Sequence, residues 1–249
     1  MCLLISDICG GLGNAMFMYI VGKSIAAKYN YEFKYFISEP RYTFLHNWYP
    51  YFWFLNENER IYDIPQDTTI IDENITINIY HQFDDIQSML HTNNVLLHGY
   101  WQDNKLFDDK LCREIFNIPT NINDSLLNKY GTYSDMVHVC VRRGDYVSLG
   151  IDLPFSWYDN AIKHYFPHRK LVITSDDIDW CKHHFNEYDV KYIDNSDFIE
   201  QMWAGTLCKD HVIADSSFGW WQAYLSDANK VVCPTGWRAA VDGWRTEDK

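Results

Sequence analysis

An α/β fold built on parallel sheet is predicted for this 249-residue chain, and three observations predict it. Short apolar strand candidates recur through the second half at spacings that mostly admit a helix between them, the pattern of a doubly wound parallel sheet. The chain opens on a strand, a glycine turn and a helix. Polar clusters follow directly on several of the strand candidates, at the end of the sheet where such folds bind ligands.

Leu3 to Ile8 reads as a short buried strand, Gly10, Gly11 and Gly13 as a tight turn, and Asn14 onward as a helix carrying Met16, Phe17, Ile20, Ile25 and Ala27. The turn matches G-x-G-x-x-G incompletely, because Met16 stands where the third glycine belongs. A dinucleotide signature and a plain tight turn both stay open. From Tyr31 to Tyr130 the pattern is irregular, with a strand from Val95 to Leu97 entering His98-Gly99-Tyr100-Trp101-Gln102. Regularity returns with strand candidates at Val137 to Val141, Leu171 to Thr174, Val190 to Ile193, His211 to Ala214 and Val231 to Cys233. Between them, Tyr158, Ala161, Ile162 and Tyr165 share a helical face, and Asp197 with Glu200 forms a capping box before Met202 and Trp203.

Composition narrows the function. Hydrophobic residues make up 47% and charged residues 22%, which excludes disordered and low-complexity classes. A net charge of -13 argues against an extended nucleic-acid or acidic-membrane surface, although a local basic cluster can still hold a phosphate, so any anionic ligand is small. Aromatics at 17% either fill cores or line sugar-binding surfaces. The seven cysteines are scattered with no C-x-x-C spacing, so reduced thiols are expected rather than zinc or a disulfide framework. Met-Cys-Leu-Leu-Ile-Ser-Asp lacks the basic and apolar regions of a signal peptide, and the aromatic run Tyr42 to Leu55 is interrupted by His46, Asn47 and Pro50. A soluble cytoplasmic protein without a transmembrane segment is expected.

The chemistry lies in the clusters that follow the strands. Arg142 and Arg143 are adjacent at a strand end and so point to opposite sides, one of them toward a ligand. A guanidinium fork suits phosphate oxygens; a salt bridge to Asp145 that holds the turn is the alternative. Asp215, Ser216 and Ser217 precede a helix starting near Phe218, where free N–H groups and hydroxyls bind an anion or simply cap the helix. Together with the arginines they describe a pyrophosphate site. Ser175-Asp176-Asp177 ends the next strand. Its carboxylates suit ribose hydroxyls or a guanine ring without a metal, and the D-x-D of Asp177 and Asp179 reads more simply as helix capping.

Gly10-Gly11-Leu12-Gly13-Asn14-Ala15-Met16-Phe17, Gly99-Tyr100-Trp101-Gln102, Arg142-Arg143-Gly144-Asp145-Tyr146, Ser175-Asp176-Asp177 and Asp215-Ser216-Ser217-Phe218-Gly219-Trp220-Trp221 together resemble the α-1,2-fucosyltransferases of glycosyltransferase family 11, in order and over nearly the whole chain. The resemblance implies the GT-B fold, two Rossmann-like halves with a cleft between them. Residues 1–130 would form the acceptor-side half and 131–249 the half that holds the donor, GDP-β-L-fucose. It implies an inverting transfer of L-fucose to a glycan acceptor, the 2-OH of a terminal β-galactose, with a nucleotide sugar and a glycan as partners; no metal, cofactor or nucleic acid is expected. Arg142, Asp145 and Asn14 are the catalytic candidates, Asn14 reaching into the cleft. Donor contacts fall to Gly11, Gly13, Cys140, Arg142, Ser175, Asp176, Asp177, Asp215, Ser216, Ser217 and Phe218.

This chain departs from the family pattern at three places. Cys140 stands where the family has histidine, with His138 two residues earlier on the same strand face. Asp215, Gly219 and Gln222 replace asparagine, serine and glycine in the segment around Phe218, and Ala15 replaces glutamine after Asn14. The diphosphate clamp survives these changes; contacts to the base near Cys140 and to the acceptor near Ala15 do not follow from the pattern.

Overall fold

The computed structural model describes residues 1–38, 52–73, 90, 93–118, 120–194, 197–237 and 239–248; Tyr42 to Tyr51 of the aromatic run lies outside them. The chain divides into two compact units, Met1–Asn117 and Ile118–Lys249. The division comes ahead of residue 130, because the helix Thr120–Tyr130 packs on Phe198–Thr206 in the second unit. There Glu200 receives the Lys129 ammonium and the Tyr130 hydroxyl.

In the first unit five described strands, β1 (Leu3–Ile8), β2 (Glu32–Ile37), β3 (Arg60–Ile61), β4 (Thr69–Asp72) and β5 (Val95–His98), form one sheet in the order β3-β2-β1-β5-β4. Every pairing is parallel. Helix α1 (Leu12–Tyr29) is buried over most of its surface, so it is apolar nearly all round rather than striped. Gly22 lets it press onto the sheet, since a β-carbon there would collide with Ser6 and Phe33. The Ser6 hydroxyl answers by donating to the Met18 carbonyl at 2.8 Å. A short helix, α2 (Asp109–Ile115), is capped by Asp108, whose own N–H donates to Ser24 on α1.

In the second unit β6 (Val137–Val141), β7 (Leu171–Ser175), β8 (Val190–Tyr192), β9 (Asp210–Ile213), β10 (Lys230–Pro234) and β11 (Arg245–Glu247) form a parallel sheet in the order β11-β10-β9-β6-β7-β8. The chain winds outward from β6 to β8, returns to β9 beside β6, and winds outward the other way. That is the common Rossmann order, and its reversal point lies between β6 and β9. The helices are α3 (Thr120–Tyr130), α4 (Gly144–Leu149), α5 (Phe155–Tyr165), α6 (Ile178–His184), α7 (Phe198–Thr206) and α8 (Ser217–Leu225).

Strand alternation sorts the core by face. Val137, Val139 and Val141 join Trp157, Tyr158, Ile162, Ile173, Phe185 and Val212 on one side. Cys140 joins Ile213, Ala223, Val231 and Cys233 on the other. On that second side runs a buried polar chain. His211 Nε2 lies 3.2 Å from the Cys208 carbonyl, which can only accept, so this nitrogen carries the hydrogen. Burial holds the ring neutral, pushing its pKa down to about 3, and Nδ1 therefore accepts from His138 Nδ1 at 3.1 Å. His138 Nε2 is left bare and takes the Thr174 hydroxyl at 2.8 Å. The Thr174 oxygen in turn receives Gln222 Nε2 at 3.3 Å. At the far end Ser226 accepts from His211 Nε2 and donates to the Ala223 carbonyl, both at 2.8 Å.

Candidate active site

The three polar loops of the second unit leave the carboxyl ends of β6 and β9, which flank the reversal point, and of β7 beside β6. Arg142 and Arg143 engage separate partners, as opposite-facing side chains do. Arg142 reaches Asp145 Oδ1 through Nη2 at 2.7 Å and Asp176 Oδ2 through Nη1, with its guanidinium 5.4 Å from the Tyr146 ring centroid. Arg143 pairs with Asp152, lies 3.6 Å from Asp177, and stacks over Trp180 at 4.4 Å. Its side chain is 16% exposed against 33% for Arg142. Arg143 is thus the packed member of the pair and Arg142 the accessible one.

Asp176 ties the two together, because its other oxygen receives the Arg143 backbone N–H at 2.8 Å. The ribose or base contact expected of Asp176 therefore competes with two arginine hydrogen bonds. Asp177 caps α6 by accepting from Trp180 N at 3.1 Å, and its own N–H donates to Ser175 Oγ at 2.9 Å. These two residues shape the turn. Asp179 is 98% exposed and 3.9 Å from Lys182, so the D-x-D carboxylates serve a helix start.

At the third loop Ser216 is buried and precedes α8 in an extended conformation without donating or accepting a side-chain cap bond. No acidic residue stands in the first turn. Simple side-chain capping by Ser216 is not what the structure has. Ser217 and Phe218 are half-buried, and Phe218 packs on the core cluster that contains Cys140. The Tyr146 hydroxyl donates to the Asp215 carbonyl at 3.1 Å, fastening the loop after β6 to the loop after β9. Tyr146 and Gly144 were visible only as members of a motif; the contacts that give them a role come from residues far away in sequence.

Cys140, expected among the donor contacts, lies in the core. It shares a strand face with His138, but only 3% of it is exposed, and burial pushes its thiol up to about 12. A β-carbon on Gly219 would stand 3.0 Å from its Sγ. Cys140 and Gly219, two of the departures from the family pattern, thus fit each other inside the core, and the thiol is not presented at the strand end.

In the first unit the glycine turn and the Gly99-Tyr100-Trp101-Gln102 segment come together. Gly10 adopts φ +74°, and a β-carbon there would lie 2.9 Å from Asn14 Nδ2 and 3.4 Å from the Tyr100 ring. Gly11 is the N-cap of α1, Gly13 is buried in its first turn, and Asn14 accepts from Gln102 Nε2 at 2.8 Å. Gly99, at φ +128°, leaves room for Glu73, whose carboxylate receives the Tyr100 N–H at 2.6 Å. Glu73 carries no sequence signal that would have nominated it. Among the described residues no helix is long and apolar enough to cross a membrane.

The fold and these loops place the chain among known proteins. The profile of Glycosyl transferase family 11 matches residues 68–240, more than half of the chain. An alpha-1,2-colitosyltransferase of Escherichia coli is 35% identical over 159 residues, covering 56% of this chain and 54% of that protein. The O-antigen biosynthesis glycosyltransferase WbnK, also of Escherichia coli, is 27% identical over 185 residues, covering 61% of this chain and 60% of that protein. The chain thus spans little more than half the length of the curated relatives it matches. Among solved structures, NodZ α-1,6-fucosyltransferase co-crystallized with GDP superposes with a TM-score of 0.58 at 14% identity, over 92% of this chain and 93% of that one. Fucosyltransferase NodZ from Bradyrhizobium gives 0.57 at 14% identity over the same shares. This likeness shows the GT-B fold, two α/β units each on its own parallel sheet. With the profile match, it follows that the chain belongs to glycosyl transferase family 11.

Proposed function

We propose that the chain is an inverting fucosyltransferase that moves L-fucose from GDP-β-L-fucose to a glycan acceptor, the 2-OH of a terminal β-galactose. The observation that carries the reading is the accessible Arg142 at the end of β6, on the strand next to the one that feeds the start of α8. In such a transfer the bond from the anomeric carbon to the diphosphate breaks ahead of the new one, and negative charge grows on the leaving phosphate. A guanidinium and a helix N-terminus already in position stabilise that charge more than the ground state.

Asp145 is 60% exposed, so its pair with Arg142 is of the surface kind, worth about 0–1 kcal/mol. An incoming diphosphate displaces it at small cost, while Asp176 keeps the guanidinium aimed. Asp145, once released, is available to orient the acceptor. Gly11 and Gly13 stay among the donor contacts, and Asn14, oriented by Gln102, is the catalytic candidate of the first unit. No cofactor or metal enters this scheme.

A second reading keeps the reaction and changes the sugar, because the 35% identical relative is named for colitose, a fucose-like sugar. Incubation with a panel of nucleotide sugars, including activated fucose and colitose, tests both by release of free nucleoside diphosphate. Release with GDP-fucose, and faster release on adding a β-galactoside, is expected. Release from no donor would leave only a non-catalytic carbohydrate-binding protein.

A further inference from the structure

At the carboxyl edge of the first sheet, β1 and β5 bring two residues together that lie 91 positions apart. The register pairs Ser6 with Leu97, so Asp7 comes abreast of His98. His98 Nδ1 lies 2.8 Å from Asp7 Oδ2. The Asp7 side chain is 8% exposed and that of His98 is 49% exposed. Asp7 Oδ1 is buried with no hydrogen-bond partner among the described residues. The carboxylate is thus committed to Nδ1 of the imidazole, and about half of the histidine side chain stays exposed.

Burying a carboxylate costs several kcal/mol unless a cation or a set of donors compensates it. Here the described compensation is one half-exposed histidine, a poor choice for a purely structural pair. The pair sits at the carboxyl edge of the adjacent strands β1 and β5, directly before the Gly10-Gly11 turn and the Gly99-Tyr100 segment, and the carboxyl ends of the strands are where α/β sheets place ligands.

We propose that His98, oriented by Asp7, is the general base that takes the proton from the acceptor hydroxyl. The inference rests on the transferase reading above. With Nδ1–H donated to Asp7, Nε2 presents a lone pair. As the acceptor oxygen forms its bond to the anomeric carbon, its proton passes to Nε2. The bond from that carbon to the diphosphate breaks, the electron pair leaves with the nucleoside diphosphate, and the imidazolium later returns the proton to water. Asp7 stabilises the positive ring in between. The other described titratable groups around it are Asp72, abreast of His98 on β4, Glu73 behind Gly99, and Cys9, whose thiol burial and the Asp7 charge push up to about 11. On β2 the residue abreast of Asp7 is the uncharged Phe36. Lys34, the cation of β2, stands abreast of Ile5, two residues short of Asp7, and pairs with Glu32.

The test uses the whole chain and three readouts. His98→Gln is expected to lower kcat on the order of 10²-fold or more, to leave GDP affinity by calorimetric titration within about twofold, and to abolish the acid limb of the kcat/KM profile for acceptor. Asp7→Asn keeps the ring but removes its counter-charge, so a smaller loss is expected, with the acid limb moved to lower pH. An effect of packing alone moves neither limb. Should His98→Gln fail to fold by circular dichroism, the limb in Asp7→Asn decides. Full turnover in folded His98→Gln, or an unmoved limb in Asp7→Asn, overturns the assignment while the transferase reading stands. Absence of nucleoside diphosphate release by the unaltered protein from every donor overturns both.

Discussion

A β-carbon built on Gly144 stands 2.5 Å from Asp176 Oδ2, the oxygen that holds Arg142. Asp176 has one short side chain and uses its second oxygen on the Arg143 backbone, so it has little room to yield. Gly144→Ala is expected to push the carboxylate away and let the Arg142 guanidinium wander. Turnover should fall roughly tenfold or more, equivalent to about 1.4 kcal/mol of transition-state binding. The melting temperature should drop only about 2–4 °C. Steady-state kinetics beside a melting curve separates this from unfolding; full activity would show that the aim of Arg142 does not depend on Asp176.

The two arginines should fail differently. Arg142→Ala removes an accessible guanidinium and is expected to cut kcat about 10²-fold while acceptor KM changes little. Arg143→Ala strips Asp152 of its pair and Trp180 of its stacked cation, and should cost about 2 kcal/mol of stability with a smaller kinetic effect in the folded fraction. Urea titration and initial rates on both variants check it. Equal kinetic loss at native stability would contradict the division of labour.

Cys140→His restores the family residue at a site that no longer fits it. The ring would meet Gly219 and Ile213 in a closed core, and overpacking of this kind costs about 1–3 kcal/mol. Lower stability without tighter GDP binding is the expected outcome of paired unfolding and calorimetry experiments. The wild-type thiol, with its pKa raised to about 12 by burial, should also resist alkylation in the native state, read out by mass spectrometry.

Burial holds His138 well below the ordinary imidazole range and His211 down to about 3. The unfolded chain takes up protons on both below about pH 6.5, and the folded chain refuses them. Their contribution to stability is therefore complete above that pH and is lost as pH falls from there toward 3. The loss is at most about 1.4 kcal/mol per pH unit for each ring. Urea midpoints at pH 7 and pH 5 should fall less steeply in a His138→Gln/His211→Gln variant than in the unaltered protein. Parallel curves would mean that the rings are protonated in the fold.

The middle of each sheet was easier to read from sequence than its borders. Val137 to Val141 and Leu3 to Ile8 are buried along their whole length or nearly so, and mostly apolar runs announce such strands even with His138, Ser6 and Asp7 among them. Arg245–Glu247 is a charged, mostly exposed edge strand, and Arg60–Ile61 is a two-residue one; neither carries alternation for a pattern to catch. Glu32–Ile37, although paired on both sides, also mixes charge into its apolar residues. The arginine and serine clusters were legible because adjacent residues reveal them. Asp7 with His98, Glu73 with Gly99, and Asp176 with Gly144 were not, since only strand register or a missing β-carbon brings them together.

The buried row from Gln222 through Thr174, His138 and His211 to Ser226 has one polarity throughout. Reversing any link means reversing its neighbours. Three of its members stand on β7, β6 and β9, the strands whose ends carry Asp176, Arg142 and Ser216. Those strands cannot slide past one another without leaving a buried donor or acceptor empty, a penalty of about 1–3 kcal/mol each. The spacing of the three loops is accordingly gauged from beneath, to the tolerance of a hydrogen bond. Loop residues above that gauge can be exchanged while the frame that spaces the three loops keeps its dimensions.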